Sequence, residues 1–281
     1  MKNIMTTQEK VEQLAREHPD WSARKIGEQI GLAKNTVIYY YHKCNIIRNR
    51  KEMQRLNNTN RNNPIVISET AEQIILGSIL GDGCIMKYRE SNENTKLRLN
   101  SMLTILQGIS QEDYLLYKKS LLEKEGIKGH IVKRKGENGT RLIKGIPLYS
   151  KDAIEYRTMR NSSFNKYRDL FYKDKKYVNE YIFKLGPLGL AIWYLDDGNL
   201  YKRTIRFYTN CFTDNDLMVL QKMLKDNFNI NTAIHKGPSV GKTIYVKTES
   251  YNTFFETILP YIPNSMLYKI DTKFRESGKT I

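Results

Sequence analysis

The sequence predicts an α+β protein: a pseudo-symmetric tandem repeat of two αββαββα halves, preceded by a small all-α unit. Three observations carry that prediction. Two apolar runs, ILGSILGDG at residues 75–83 and LAIWYLDDG at residues 190–198, both end in an acidic residue followed by glycine. After each run the same order of helical and β-type segments recurs, which marks an internal repeat. Before the first run, residues 1–47 carry only short helical patterns separated by turns.

The N-terminal patterns come first. Thr7 is positioned to cap a helix that carries Val11, Leu14 and Ala15 on one face, and Ser22 to cap a second with Ala23, Ile26 and Ile30 inward. Gly31-Leu32 supplies a turn into a third helix, about residues 33–44, with Val37 and Tyr41 inward. Two short amphipathic helices joined at a glycine turn match helix-turn-helix spacing. The third helix then turns Lys34, Asn35, Thr36, Tyr39, Tyr40 and Lys43 outward, side chains suited to phosphates and base edges. Residues 48–63, RNRKEMQRLNNTNRNN, are basic, rich in asparagine and nearly free of apolar side chains, so residues 48–67 read as a linker.

From Ser68 an apolar helix runs through Leu80. Residues 103–107 and 205–210 are β-type runs that precede amphipathic helices at 113–125 and 214–227. Strands at 129–133 and 156–159 and a helix at 163–172 complete the first half, residues 68–180. Strands at 232–235 and 243–248 and a helix at 250–259 complete the second, residues 181–281.

Composition narrows the partners. The 281 residues have an ordinary 40% hydrophobic and 27% charged content, but a formal net charge of +16 and a pI near 9.5. Such a surplus calls for a polyanion. That polyanion is a nucleic acid or an anionic membrane surface, and no membrane is expected as the partner: the longest apolar stretch, around 185–195, is too short to span and contains Pro187. The N-terminal MKNIMTTQEK lacks a secretory apolar region, so an intracellular, unsecreted protein is expected. Cys44, Cys84 and Cys211 are scattered and read as buried reduced thiols, and the four histidines lie too far apart for a zinc site.

The paired endings carry the chemistry. If the two apolar helices pack on each other, with Gly77, Ser78 and Gly81 on one and Ala191 on the other allowing close approach, they end side by side at Asp82 and Asp197. Aspartate is disfavoured at a helix C-terminus, where the backbone already presents partial negative charge. Two such ends, with Asp196 besides, call for something positive, and carboxylates with free carbonyls are ligands suited to Mg2+. In a basic protein, that is an arrangement for cutting a phosphodiester.

ILGSILGDG and LAIWYLDDG resemble the two motifs of the LAGLIDADG homing endonucleases in their single-chain form, over about residues 68–275, and the closing stretch 260–269, PYIPNSMLYK, resembles the family's C-terminal halves. The resemblance implies a β-saddle on double-stranded DNA and a monomer that breaks both strands of a long asymmetric target with Mg2+. It makes Asp82 and Asp197 the catalytic, metal-holding aspartates, and gives Gly81 and Asp196 backbone carbonyls toward metal. Gln107 and Asn210 would order water in the two halves. Lys247, on the last strand of the second half, would support the charged transition state. Arg160 is the expected first-half counterpart of Lys247. The second motif departs from the family in placing Ile192 and Asp196 at positions of small residues, which the glycines of the first helix would have to accommodate. With no first-half lysine, that half is expected to cut more slowly, and the extra carboxylate of Asp196 to tighten metal binding in the second. Lys87, Arg89, Arg98, Arg134, Arg203 and Arg206 lie on strands or loops of the expected saddle and are candidates for DNA contacts. The alternatives are a non-cleaving helix-turn-helix regulator with a LAGLIDADG-like domain and an intron RNA maturase.

Overall fold

The computed structural model describes residues 5–18, 21–44, 46, 64–87, 100–143, 146–236 and 241–275. The chain divides into two compact units, Met1–Asn63 and Pro64–Ile281. Arg89, Arg98 and the 48–63 portion of the expected linker lie outside the described residues. Among the described residues no helix is long and apolar enough to cross a membrane.

The first unit holds α1 (Thr7–Glu17), α2 (Ala23–Ile30) and α3 (Lys34–Lys43) around a core of Val11, Ala15, Ile26, Val37 and Tyr41. Thr6 rather than Thr7 caps α1: its hydroxyl accepts from the Glu9 N–H while the Glu9 carboxylate accepts from the Thr6 N–H. That reciprocal pair satisfies two otherwise orphaned donors, which a cap at Thr7 would not. Ser22 caps α2, and Gly31 ends it with φ of 71°, a left-handed conformation that glycine adopts without penalty.

In the second unit the repeat is explicit. The first half runs α4 (Glu69–Leu80), β1 (Gly83–Met86), β2 (Met102–Gly108), α5 (Glu112–Lys124), β3 (Gly129–Arg134), β4 (Asn138–Ile143), β5 (Ile146–Tyr149), β6 (Ala153–Thr158) and α6 (Asn165–Phe171). The second runs α7 (Pro187–Asp197), β7 (Gly198–Tyr201), β8 (Thr204–Tyr208), α8 (Asp214–Phe228), β9 (Thr232–Lys236), β10 (Lys242–Val246) and α9 (Tyr251–Ile258), and the short α10 (Thr272–Arg275) follows. Each half forms a four-stranded antiparallel sheet, in the orders β1-β2-β6-β3 and β7-β8-β10-β9. The hairpin β4–β5 has no equivalent in the second half and was not legible in the sequence. Gly139 in one strand and Pro147 in the other, residue types that argue against a strand interior, mask it.

Within each sheet, alternate residues point to the helices: Leu103, Ile105, Ile154 and Tyr156 in the first half, Ile205, Phe207, Ile244 and Val246 in the second, all buried. The second half adds an aromatic cluster, with Trp193 and Phe207 centroids 4.2 Å apart and Tyr194 and Phe254 centroids 5.0 Å apart. Such pairs contribute about 0.5–1.5 kcal/mol each beyond their burial.

The two motif helices, α4 and α7, pack on each other through glycines. A Cβ on Gly77 would meet the Gly189 carbonyl oxygen at 2.4 Å and the Ile192 Cβ at 2.9 Å; one on Gly81 would meet the Asp196 Cβ at 2.4 Å. The glycines of α4 thus stand opposite the two large residues of α7. On the α7 side it is Gly189, not the expected Ala191, whose backbone meets Gly77. Gln73 of α4 ties down the chain entering α7, donating to the Lys184 carbonyl at 2.8 Å and accepting from the Gly186 N–H.

Candidate active site and nucleic-acid interface

Both motif helices end at the start of a strand, and strand pairing fixes what lies beside each end. Gly83 pairs with Ile105 and Gly198 with Phe207. This register makes Asp82 equivalent to Asp197, and Gly81 to Asp196. It also makes Thr209 the counterpart of Gln107, correcting the expectation for Asn210. β8 ends at Tyr208, and Asn210 sits exposed in the following turn, hydrogen-bonded to no aspartate. Thr209 is buried and donates its hydroxyl to the Lys242 carbonyl at 2.8 Å, so it offers the aspartates nothing.

Gln107, by contrast, is at the centre. Its amide nitrogen donates to Asp82 Oδ2 at 2.9 Å and to Asp196 Oδ1 at 3.0 Å. Asp196 Oδ1 also accepts from Lys118 Nζ at 2.7 Å, and Asp196 Oδ2 accepts from the Asp82 N–H at 3.2 Å. The side chains of Lys118 and Asp196 are both 0% exposed. Asp196 is therefore a buried, paired carboxylate and adds no free ligand to the second half-site, contrary to expectation. A fully buried lysine carries no sequence signal beyond its place on an otherwise apolar helix face.

Two more lysines answer the expectation that something positive should sit at the helix ends. Lys176 Nζ donates to the carbonyls of Ile79 and Gly81, at 2.8 and 3.3 Å. Lys269 Nζ donates to those of Leu195, Asp196 and Gly198, at 2.5, 3.3 and 3.1 Å. Each half thus supplies, from beyond its last strand, one ammonium to cap its own motif helix, where cations are favoured. The stretch containing Lys269 resembled the family, but no spacing rule announced its role.

Lys247 moves the other way. β10 ends at Val246, and Lys247 lies past it, exposed, capping the turn at 248–250. Thr243 pairs with Tyr208 beside Asp197, so Lys247 lies four residues further along, about 13 Å at a strand's rise per residue. Its first-half counterpart by register is Met159, not Arg160; Arg160 donates to the Asn100 carbonyl at 3.1 Å. The expectation of a slower first half therefore loses its support.

The electrostatics follow. Burial pushes the Asp197 carboxyl up to about 7, with Asp82 and Asp196 adding to the shift and Lys176 and Lys269 opposing it. Asp82 keeps an exposed edge, yet burial and then Asp196 raise it too, against Lys118 and Gln107. Burial lowers Lys269 from the ordinary lysine value while the three aspartates pull it back. Among the described residues there is no ready-made cluster of three His, Cys, Asp or Glu for a metal. Asp82 and Asp197 still fit Mg2+, which is commonly held by one or two carboxylates with waters and substrate phosphates completing its shell. The carbonyls of Gly81 and Asp196, expected to face metal, accept from Lys176 and Lys269.

The sheet faces turned from the helices carry the polar residues. Arg206 on β8 donates to Asn199 at 3.2 Å and lies 5.1 Å from the Tyr208 ring centroid. His235 and Tyr245 meet edge to face at 4.7 Å. On the first sheet Arg134 and Arg157 flank the buried Glu155, at 2.6 and 2.8 Å, so its charge is neutralised there. Lys87 and Arg203 are exposed on loops beside these faces. In the first unit Lys34, Asn35, Tyr39 and Lys43 are exposed, whereas Thr36 and Tyr40 are half-buried, Tyr40 leaning on the core. Cys44 and Cys84 are half-buried and Cys211 is exposed, so the thiols are not uniformly buried.

Known proteins resemble this chain in sequence and fold. The profile of the LAGLIDADG DNA endonuclease family matches residues 72–254, more than half of the chain. Cytochrome b mRNA maturase bI2 of Saccharomyces cerevisiae is 31% identical over 80% of this chain and 53% of its own length. Protein RecA of Mycobacterium shimoidei is 28% identical over 75% of this chain and 49% of its own. The chain spans about half the length of these curated relatives. The homing endonuclease I-WcaI, solved bound to its DNA recognition sequence, superposes with a TM-score of 0.57 at 21% identity, over 73% of this chain and 88% of that one. With the family profile spanning both halves, the chain belongs to the LAGLIDADG DNA endonuclease family.

Proposed function

We propose that this chain is a site-specific endonuclease that hydrolyses both strands of a long, asymmetric double-stranded DNA target with a divalent metal, Mg2+ in the first instance. The observation that carries the reading is the placement of Asp82 and Asp197 at the adjoining ends of two packed helices, within electrostatic reach of each other and between two lysine-capped termini. A bound divalent ion supplies there an activated water and a counter-charge for the phosphate.

The chain's own residues do the rest. Asp82 and Asp197 hold the ion, and Gln107 fixes the Asp82 carboxylate in place. Lys176 and Lys269 keep positive charge within electrostatic reach of Asp197, in the part expected of Lys247. The outward sheet faces, with Arg206, Arg203 and Lys87, meet phosphates and base edges. Because one chain carries both aspartates, a monomer suffices, and two unlike sheets read an asymmetric site. The three-helix unit, through Lys34, Asn35, Tyr39 and Lys43, lengthens the site on one side. Thr36 and Tyr40 contribute less, being half-buried.

A second reading, an intron RNA maturase, is favoured by the 31% identical relative of that name. The DNA flanking the gene, joined without it, is the test substrate for the first reading, and the RNA of an adjacent intron for the second. The nuclease reading expects one double-strand break in that DNA with Mg2+, abolished by chelation. Tight binding without cleavage, or Mg2+-dependent stimulation of splicing of an adjacent intron RNA without DNA cleavage, overturns it.

A further inference from the structure

The two half-sites differ at two positions that touch each other. On the helix after the first strand pair, the buried residues Tyr114, Leu115, Lys118 and Leu122 of α5 correspond in order to Asp216, Leu217, Leu220 and Leu224 of α8. Lys118 thus stands where the second half has Leu220. Its partner Asp196 stands where the first half has Gly81. One half-site is closed by leucine and glycine, the other by a buried ion pair. A buried lysine without its carboxylate, or the reverse, is strongly unfavourable, so the two departures form one unit. Tyr114 confines the lysine further: its ring centroid lies 4.3 Å from Nζ, and its hydroxyl donates to the Ile192 carbonyl at 3.3 Å.

The consequence falls on Asp82. Asp196, oriented by Lys118, accepts one of the two hydrogen bonds donated by the Gln107 amide, and Asp82 Oδ2 accepts the other. Facing two carboxylates, the amide has one tolerable orientation, nitrogen toward both. Asp196 also takes the Asp82 N–H. The Asp82 carboxylate is held at side chain and backbone. No described group hydrogen-bonds the Asp197 carboxylate, and the register gives it Thr209, which is turned to Lys242.

We propose that the Lys118–Asp196 pair is a positioning device that presets the Asp82 half-site through Gln107, so that the DNA strand served by Asp82 is cut first and a nicked duplex precedes the double-strand break. This rests on the nuclease reading above. Preset geometry is worth rate because a misplacement of about 1 Å costs about 10²-fold.

The test replaces both partners, so that no buried charge is left alone. Lys118→Leu/Asp196→Gly installs the residue types of the other half, and Lys118→Leu/Asp196→Ala is the second variant should the first not fold. With each strand of the target end-labelled, the parent is expected to cut the strands at rates differing by about tenfold or more. The faster strand is the one slowed most by Asp82→Asn. In the double variant the ratio falls toward one because the faster strand slows. A second readout needs neither metal nor DNA: hydrogen exchange of the Gln107 side-chain amide by NMR, assigned by its loss in Gln107→Met. Exchange should quicken about tenfold or more in the double variant, as for the loss of a charge-assisted hydrogen bond. Equal strand rates in the parent, an unchanged ratio in the folded double variant, or unchanged amide exchange each overturn the proposal. A parent that cuts neither strand defeats the nuclease reading instead, and the amide exchange still decides whether the pair holds Gln107.

Discussion

The two halves of the repeat share sheet order, helix order and a lysine at the motif helix terminus, yet they solve the same packing problem differently. Where α4 and its C-terminal cap have Gly77 and Gly81, α7 has Ile192 and Asp196. The first half brings flat helix surface and an amide, Gln107; the second brings bulk, a second carboxylate and an aromatic cluster beneath it. Two Asp196-like residues would collide where Gly81 now gives way. The single chain has therefore specialised its halves as complements, which a symmetric pair of identical halves cannot do.

The sharpest way to break the comparison is at the residues the halves share. Asp82→Asn and Asp197→Asn should each lower double-strand cleavage by about 10²–10³-fold, the range for removing one preorganised electrostatic group. Fold and most DNA affinity should survive. Measured strand by strand, the two variants should spare opposite strands; if both silence the same strand equally, the halves are not separate half-sites.

Stability should be as lopsided as packing. Gly77→Ala drives a methyl into the Gly189 carbonyl and Ile192, and should cost about 1–3 kcal/mol, the range for overpacking. At the equivalent place on α7, Ile192→Val only removes a methylene and should cost about 0.5–1.5 kcal/mol. Urea unfolding of the two variants gives the contrast directly, and a milder effect at Gly77 than at Ile192 would show that the helices can slide apart.

The terminal lysines should differ less. Lys269 serves three carbonyls and Lys176 two. Cations at helix C-termini contribute about 0.3–1 kcal/mol, and up to about 2 when partly buried. Lys269→Met should therefore destabilise more than Lys176→Met, by a margin under about 1 kcal/mol, visible as a shift in thermal midpoint.

How much of this was legible in the sequence divides along physical lines. The repeat, its helix and strand order, and the α4–α7 contact were legible because apolar periodicity and the paired Asp-Gly endings are local signals. Even the glycines that make room for Ile192 and Asp196 could be named. What failed was register. The sequence pattern puts Lys247 and Asn210 on strands that end one and two residues before them, and at a period of two residues such a slip changes both face and neighbour. Lys118, Lys176 and Lys269 were missed for another reason. Their partners are 78, 95 and 73 residues away, at Asp196, Gly81 and Asp196 in turn, and no local pattern marks a lysine that will be buried against a distant carboxylate or carbonyl.

The register correction itself yields the finest test, a contrast between an effect and none. Gln107→Ala removes an amide that bonds Asp82 and Asp196. It should slow cleavage of the strand served by Asp82 by about tenfold or more, since the amide donates to two charged acceptors, and bonds to charged groups are worth about 1.5–3 kcal/mol. Asn210→Ala, the change at the residue that sequence position alone pairs with Gln107, should leave both strand rates within about twofold. Asn210 is exposed in a turn and bonds neither aspartate, and surface changes of that kind usually stay within about 0.5 kcal/mol. Thr209→Val sits between them. It should cost stability through the lost hydrogen bond to the Lys242 carbonyl while leaving the ratio of the strand rates alone. A large loss of cleavage in Asn210→Ala would mean that the turn after β8 closes over the DNA and brings its amide to Asp197. The two halves would then be more alike on the substrate than they are without it.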